Sequence, residues 1–178
     1  MRAFLAIDVG STDEPPPLAA APGAPPHLTL RFLGDLDEVD LPALVALMRP
    51  IARRTAPFDL HFEGVGAFPS RAEPRVVWMG VTAGREAVTH LASEISDALN
   101  GLGLPPDSPA FVPHLTLFRV RSGQDRLRAR LLLDGADPVP GERRVRVSEF
   151  VLKESTLTRA GPVHRTVERF RFGGAEAH

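Results

Sequence analysis

The chain contains no cysteine, which excludes disulfides, thiolate catalysis and cysteine-ligated zinc. No apolar run approaches the roughly 20 residues that a membrane-spanning helix needs. The opening Met1–Asp8 is too short for a signal peptide and is interrupted too soon by Asp8, so the cytoplasm is the expected location. Net charge is small, -1, which argues against a protein that wraps long duplex DNA. Lysine is nearly absent: of 21 basic residues only Lys153 is one. What remains is a chain of 178 residues with apolar content near the globular norm. That is enough for a real core, and residues 1–178 are expected to form one domain or two intimate lobes.

The little net charge is unevenly spread. Residues 119–171 hold 13 Arg or Lys against 7 acids, whereas residues 1–118 hold 8 against 14. An arginine-rich third can be a compositional bias, or it can face phosphate, for which a guanidinium fork is suited. A small or terminal phosphate fits the balanced total better than a long polyanion does.

Taken in order, the chain predicts a strand at Ala3–Val9 and then a proline-rich extended connection over 10–26, where Pro removes donors and restricts its predecessors. A strand at His27–Leu33 ends at Gly34-Asp35. A helix capped by Asp37 or Asp40 runs to about Arg53, with Val39, Leu44, Leu47, Met48 and Ile51 on its apolar face. Strands follow at Phe58–Val65 and Arg75–Val81, separated by a turn at Gly66, Pro69 and Ser70. A second helix over Arg85–Leu99 stops at Gly101 and Gly103. A strand from Pro113 to Arg119 precedes a third helix, opened by Ser122-Gly123, packed on Leu127, Leu131 and Leu132, and closed by Gly135. Val145–Leu157 reads as one strong alternating strand and Val163–Phe172 as the last; residues 173–178 read as a disordered tail. The order points to an α+β fold with mostly antiparallel pairing.

One five-residue word occurs twice, 87 positions apart: Pro26-His27-Leu28-Thr29-Leu30 and Pro113-His114-Leu115-Thr116-Leu117. Only six histidines are present, so the repetition carries weight. Strand alternation puts His27 with Thr29 on one face, and Leu28, Leu30 and Phe32 on the other. The same parity joins His114 with Thr116. Two imidazoles and two hydroxyls around one cavity are equipped for acid–base chemistry, since an imidazole with pKa near 6.5 supplies both proton forms at neutral pH. A lone histidine is more often a satisfied polar residue at a sheet edge; the doubled word with threonine on the same face shifts the balance to catalysis. Metal binding needs three or four converging ligands, and neither word has a carboxylate or further His at ligand spacing, so neither metal nor cofactor is expected. His61, His90 and His164 have no partner motif and read as surface or packing residues.

Further words accompany the pair: Phe4-Leu5-Ala6-Ile7-Asp8, Leu30-Arg31-Phe32-Leu33-Gly34, Gly66-Ala67-Phe68-Pro69-Ser70, Pro74-Arg75-Val76-Val77-Trp78 and Leu117-Phe118-Arg119-Val120. With them the chain resembles the 2H phosphoesterases over nearly its whole length, and in particular their RNA 2′,3′-cyclic phosphodiesterase (2′-5′ RNA ligase-like) branch. The resemblance implies two pseudo-symmetric lobes, each an antiparallel sheet backed by helices, around a central cleft between the two His-x-Thr strands. It implies metal-independent hydrolysis of an RNA 2′,3′-cyclic phosphate end to a 2′-phosphate. His27 and His114 would be the catalytic pair, with His114 as base and His27 as acid; the same two groups would serve 2′-5′ ligation.

Thr29, Thr116 and Arg119 would bind phosphate, although simple alternation turns Arg119 away from the cleft unless a bulge intervenes. Phe118 has cleft parity and is the best candidate, ahead of Phe68 and Trp78, to stack on a base, although an aromatic in a strand is more often packing; Arg31, on the His27 face, either adds charge or is a solvated surface residue. Relatives carry a helix between the first strand and the first motif, where this chain has the proline-rich 10–26. The expected partner is RNA with a cyclic phosphate end or a small nucleotide, with no membrane and a monomeric chain. A 2′-5′ oligonucleotide or small cyclic nucleotide as substrate, or a non-catalytic RNA-end-binding module, are the alternatives.

Overall fold

The computed structural model describes residues 1–10, 25–104, 110–137, 142–159 and 161–175. Most of the proline-rich connection, together with 176–178, lies outside the described residues.

Among the described residues eight strands form two antiparallel sheets of four. Strands β1 (Arg2–Asp8), β2 (His27–Asp35), β7 (Glu149–Thr158) and β8 (Gly161–Arg171) build the first, in the order β2-β1-β7-β8. The second, in the order β5-β4-β3-β6, holds β3 (Phe58–Pro69), β4 (Pro74–Ala83), β5 (His114–Arg119) and β6 (Arg143–Val147). Each motif strand is thus the edge of its own sheet, and the two edges, β2 and β5, touch. The expected α+β architecture of two pseudo-symmetric lobes is observed.

One core runs through both sheets: Leu5, Ile7 and Leu28 from the first, Phe62, Val77 and Leu115 from the second, and Met48, Leu91 and Ile95 from helices. Helix α1 (Leu41–Arg54) packs on β8 and α2 (Arg85–Asn100) on β2, so the first sheet has helical cover from both. Helix α3 (Gly123–Leu133) lies on β3 and β4. It begins with a capping box in which Ser122 Oγ accepts from the Asp125 N–H while the Asp125 carboxylate accepts from the Ser122 N–H.

Five expectations need correction. Val145–Leu157 is two strands, because the chain leaves one sheet and enters the other at Ser148: β6 pairs with β3 and β7 with β1. Val147 and Phe150 both enter the core, so strict alternation fails at the crossover. The Gly66–Ser70 turn begins only after Pro69, since β3 runs on through Gly66. The apolar side of α3 is Ala129, Leu132 and Leu133, with Leu127 and Leu131 facing solvent. Val39 sits in a short 3-10 turn, Glu38–Asp40, and is exposed. Gly173–Ala175, assigned to the tail, form a 3-10 turn.

Candidate active site

The faces of the two sheets turned away from the core carry the motif residues. On the first sheet His27 pairs directly with Asp8, Thr29 with Ala6 and Phe32 with Phe4. On the second, His114 pairs with Gly80, Thr116 with Trp78 and Arg119 with Val76. Directly opposed residues share a face, so these pairs outline the two walls of the site.

The two imidazoles are held alike. His27 Nδ1 lies 2.8 Å from the carbonyl of Pro25, and His114 Nδ1 lies 2.6 Å from that of Val112. A carbonyl can only accept, so each Nδ1 carries the hydrogen and each neutral ring keeps a bare Nε2. The residue two before each histidine thus selects its tautomer, in both copies.

Both histidines hold their proton less firmly than a free imidazole. Burial is the main cause at each. The Lys153 cation and His114 push the same way at His27, against the Pro25 hydrogen bond and the Asp8 carboxylate. At His114 the Arg119 cation adds to burial, against the Val112 hydrogen bond.

Alternation breaks at the same place in both words. Leu30 is an extra residue between Thr29 and Arg31 in the pairing with β1, and Leu117 is extra between Thr116 and Phe118 in the pairing with β4. A bulge reverses which face the following residues take. Arg119 therefore reaches the His114 side, as required for a phosphate contact, and its charge is felt there.

The same bulges overturn three face assignments. Phe118 joins the core face beside Val77, packs against the core, and carries the Arg128 guanidinium of α3 over its ring at 5.0 Å. Arg31 pairs with Leu5, is only 3% exposed, and donates from Nη1 to Ser96 Oγ of α2 at 3.1 Å. Phe32, assigned to the core, is 58% exposed on the His27 face. Its ring lies 6.0 Å from Phe4, which lies 5.2 Å from His27.

Several residues outside the two words converge on them. His164 of β8 meets the His27 ring edge-on at 5.0 Å and Phe4 at 4.9 Å, so of the two readings it is a packing residue, and it packs on the first motif histidine. Burial, with His27 and Lys153 nearby, pushes its pKa down to about 4. Lys153 is buried on this wall with Nζ 2.8 Å from Asp8 Oδ1. Across the cleft Phe68 meets His114 edge-on at 5.0 Å, and Trp78 lies 6.1 Å from it.

Gly66 opposes Trp78, and a Cβ there would come within 2.3 Å of the indole; glycine at this position lets the indole lie against the backbone. Parity along β7 and β8 carries Lys153, Thr166 and His164 to one face. Nothing local in the sequence shows that the sheet then brings that face to His27.

Among the described residues one group has metal-ligand chemistry: His61, Glu63 and Glu142, with ligand atoms all within 4.8 Å of one another. Glu63 is in register with Gly80, the strand partner of His114, so the group borders the sheet that carries the second motif, and His61 Nε2 already sits 2.8 Å from Glu142 Oε2. His90 lies on α2, 3.8 Å from Glu94 one turn on. Among the described residues no helix is long and apolar enough to cross a membrane.

The family model of the 2′-5′ RNA ligase superfamily matches residues 13–156. An RNA 2′,3′-cyclic phosphodiesterase of Aquifex aeolicus is 36% identical over 150 residues, 83% of this chain and 78% of the relative. Another, of Archaeoglobus fulgidus, is 37% identical over 144 residues, 81% and 78% of the two chains. Among solved structures, a protein of Thermus thermophilus superposes with a TM-score of 0.75 at 27% identity, covering 99% of this chain and 100% of that one. E. coli LigT, solved with 3′-AMP, gives a TM-score of 0.71 at 26% identity, covering 96% and 97%. With the paired His-x-Thr strands on facing walls, these matches establish that the chain belongs to the 2′-5′ RNA ligase superfamily of 2H phosphoesterases.

Proposed function

We propose that this protein hydrolyses RNA 2′,3′-cyclic phosphate ends to 2′-phosphates in the cytoplasm, without a metal, by proton transfer between His114 and His27. The observation that carries the reading is the identical pinning of two imidazoles through Nδ1 on edge strands that touch, which leaves both Nε2 atoms for proton exchange. The names of the relatives support the substrate class.

In the forward reaction His114 Nε2 takes a proton from water as its oxygen attacks phosphorus. The P–O3′ bond breaks, and the leaving O3′ takes the proton held on His27 Nε2. The ester at O2′ survives, giving a 2′-phosphate. Asp8, directly opposite His27, pulls towards the protonated acid there against burial and the larger opposing effect of Lys153, whereas the charge His114 senses is Arg119, which favours a neutral base. Thr29 and Thr116 donate to the non-bridging oxygens and Arg119 offsets the charge that builds on them. A 5′-hydroxyl in place of water would form a 2′-5′ bond by the same displacement. Exposed Phe32, in place of Phe118, offers the terminal base a ring to stack on.

The test is a short RNA ending in a 2′,3′-cyclic phosphate, incubated with EDTA. Multiple turnovers to a 2′-phosphate, lost in His27→Ala and in His114→Ala, are expected. No turnover by folded wild type would overturn the RNA-end assignment and redirect the search to 2′-5′ oligonucleotides and small cyclic nucleotides. Stoichiometric binding without turnover would mean a binding module.

A further inference from the structure

Lys153 is the one lysine in the chain, and its side chain is 2% exposed. It lies on β7 beside Phe4 of β1 and Thr166 of β8, on the face that carries His27. Its Nζ reaches Asp8 Oδ1 at 2.8 Å and Thr166 Oγ1 at 3.5 Å. Ala6, between Phe4 and Asp8 on that face, is small enough to leave the lysine stem room to pass.

A buried ion pair is a poor device for stability. Desolvating each charge costs several kcal/mol, about as much as the attraction returns, and an apolar replacement of similar volume is often neutral or better. The neighbours Phe4, Ala6 and Val151 form a small apolar cluster of their own that a methionine would extend. Something other than packing therefore accounts for a charge pair here.

Comparison of the walls supplies the reason. The residue directly opposite His27 is Asp8, whereas the residue directly opposite His114 is Gly80, which has no side chain. The side chain directly opposite His27 thus belongs to an ion pair, whereas the position directly opposite His114 carries none. Lys153 is too buried to meet a phosphate.

We propose that the Asp8–Lys153 ion pair is a positioning element of the site that sets the proton affinity of His27 and so helps to make the two histidines unequal. The proposal rests on the reading of His27 as a proton-transfer group. Four titratable groups face His27 among the described residues: Asp8 from β1, Lys153 from β7, His164 from β8 and His114 from β5 across the cleft. Of these the Asp8 carboxylate favours the imidazolium and Lys153 opposes it. The lysine keeps the carboxylate from holding the His27 proton too tightly to release.

The experiment is an NMR titration of the histidine side chains without substrate, alongside the pH profile of kcat/KM on the cyclic phosphate RNA. Lys153→Met leaves Asp8 unopposed and is expected to raise the His27 pKa by about one unit, the scale of a nearby charge. The double variant Asp8→Asn/Lys153→Met removes both charges and brings the value back towards wild type, while Lys153→Arg keeps it. His114 stays in place throughout, and one limb of the kcat/KM profile moves with His27. An unmoved His27 in Lys153→Met, equal values in the single and double variants, or equal movement of both histidines overturns the proposal.

Should Lys153→Met fail to fold, the double variant and Lys153→Arg carry the test through the same titration. Asp8→Asn/Lys153→Met must then return His27 to within a few tenths of wild type, and a larger departure overturns it. The titration needs no RNA. No turnover by wild type, with a His27 that moves in Lys153→Met, would therefore overturn only the substrate assignment, and intact wild-type turnover with an unmoved His27 only this one.

Discussion

The motif strands of the His27 wall and the His114 wall are built to one plan and exchange two adjacent residues. Each strand offers a histidine pinned through Nδ1, a threonine two residues on, and a bulge at the third. After the bulge the first wall continues Arg31-Phe32 and the second Phe118-Arg119. In both, the first residue turns to the core and its helix, and the second turns to the cleft. The order of charge and ring is exchanged, so one wall shows the cleft an aromatic ring and the other a guanidinium. Duplicated geometry supplies the symmetric part of the chemistry, two proton carriers. The exchanged pair supplies what a nucleotide needs asymmetrically, a cation for its phosphate and a surface for its base.

Removing what the walls share has the largest expected effect. His27→Ala and His114→Ala should each lower turnover of a cyclic phosphate RNA by about 10²–10⁴-fold, the usual contribution of a positioned acid or base. The double variant should be little worse than either single, because the groups act in one step. Multiplying losses in single-turnover rates would mean that the two histidines do not share a transition state.

Removing what the walls do not share should separate two kinetic constants. Arg119→Ala is expected to cost about 10²–10³-fold, mainly in kcat, since its charge acts on the phosphorane-like transition state. Phe32→Ala should raise KM about tenfold with little change in kcat, as loss of one base–aromatic stack would. The core-facing partners should behave in the opposite way. Arg31→Ala strands Ser96 Oγ and is expected to cost stability, about 1–3 kcal/mol in a urea melt, with kcat of the folded enzyme kept. A kcat loss in Phe32→Ala that equals that of Arg119→Ala would break the comparison.

Which residues of this site can be read from the sequence follows from what alternation can carry. His27, Thr29, His114 and Thr116 precede the bulges, so counting by twos places them on the cleft walls. Arg31, Phe32, Phe118 and Arg119 follow the bulges, and neither Leu30 nor Leu117 differs from an ordinary core leucine in composition. Only the pairing partner reveals the extra residue. The elements themselves were legible because α1 and α2 keep helical spacing and the strands are bounded by Gly and Pro. The break at Ser148 was not, because apolar residues continue on both sides of a change of sheet. Asp8, Lys153 and His164 became site residues only through the order β2-β1-β7-β8, which no local pattern encodes.

The aromatic support of His114 gives a smaller effect. In Gly66→Ala the new methyl would meet the Trp78 indole, so the ring must move away from Phe68 and His114. Overpacking of this kind typically costs about 1–3 kcal/mol. We expect a lowered Tm, a shifted emission from the single tryptophan, and a kcat reduction smaller than that of Arg119→Ala. Unchanged emission would show that the indole does not depend on the glycine. The His27 wall has no equivalent glycine contact and should be indifferent to the substitution.

The smallest effect is in the pH dependence of stability, and its sign follows from three lowered imidazoles. His27, His114 and His164 all bind a proton less readily in the folded chain than in the unfolded one. Below the ordinary imidazole pKa near 6.5 the unfolded chain therefore takes up protons that the native chain refuses, and stability falls as pH falls. For His164 the loss develops between about 6.5 and its folded value of about 4 and is complete below it. Its ring is partly exposed, so solvent screening keeps the contribution small. Urea midpoints measured from pH 7 to pH 4 should decline in wild type and decline less in His164→Phe, which keeps the edge-on contact with His27 but cannot titrate. An unchanged slope in that variant would assign the acid sensitivity to the two motif histidines, and with it the cost of holding two uncharged imidazoles ready in one cleft.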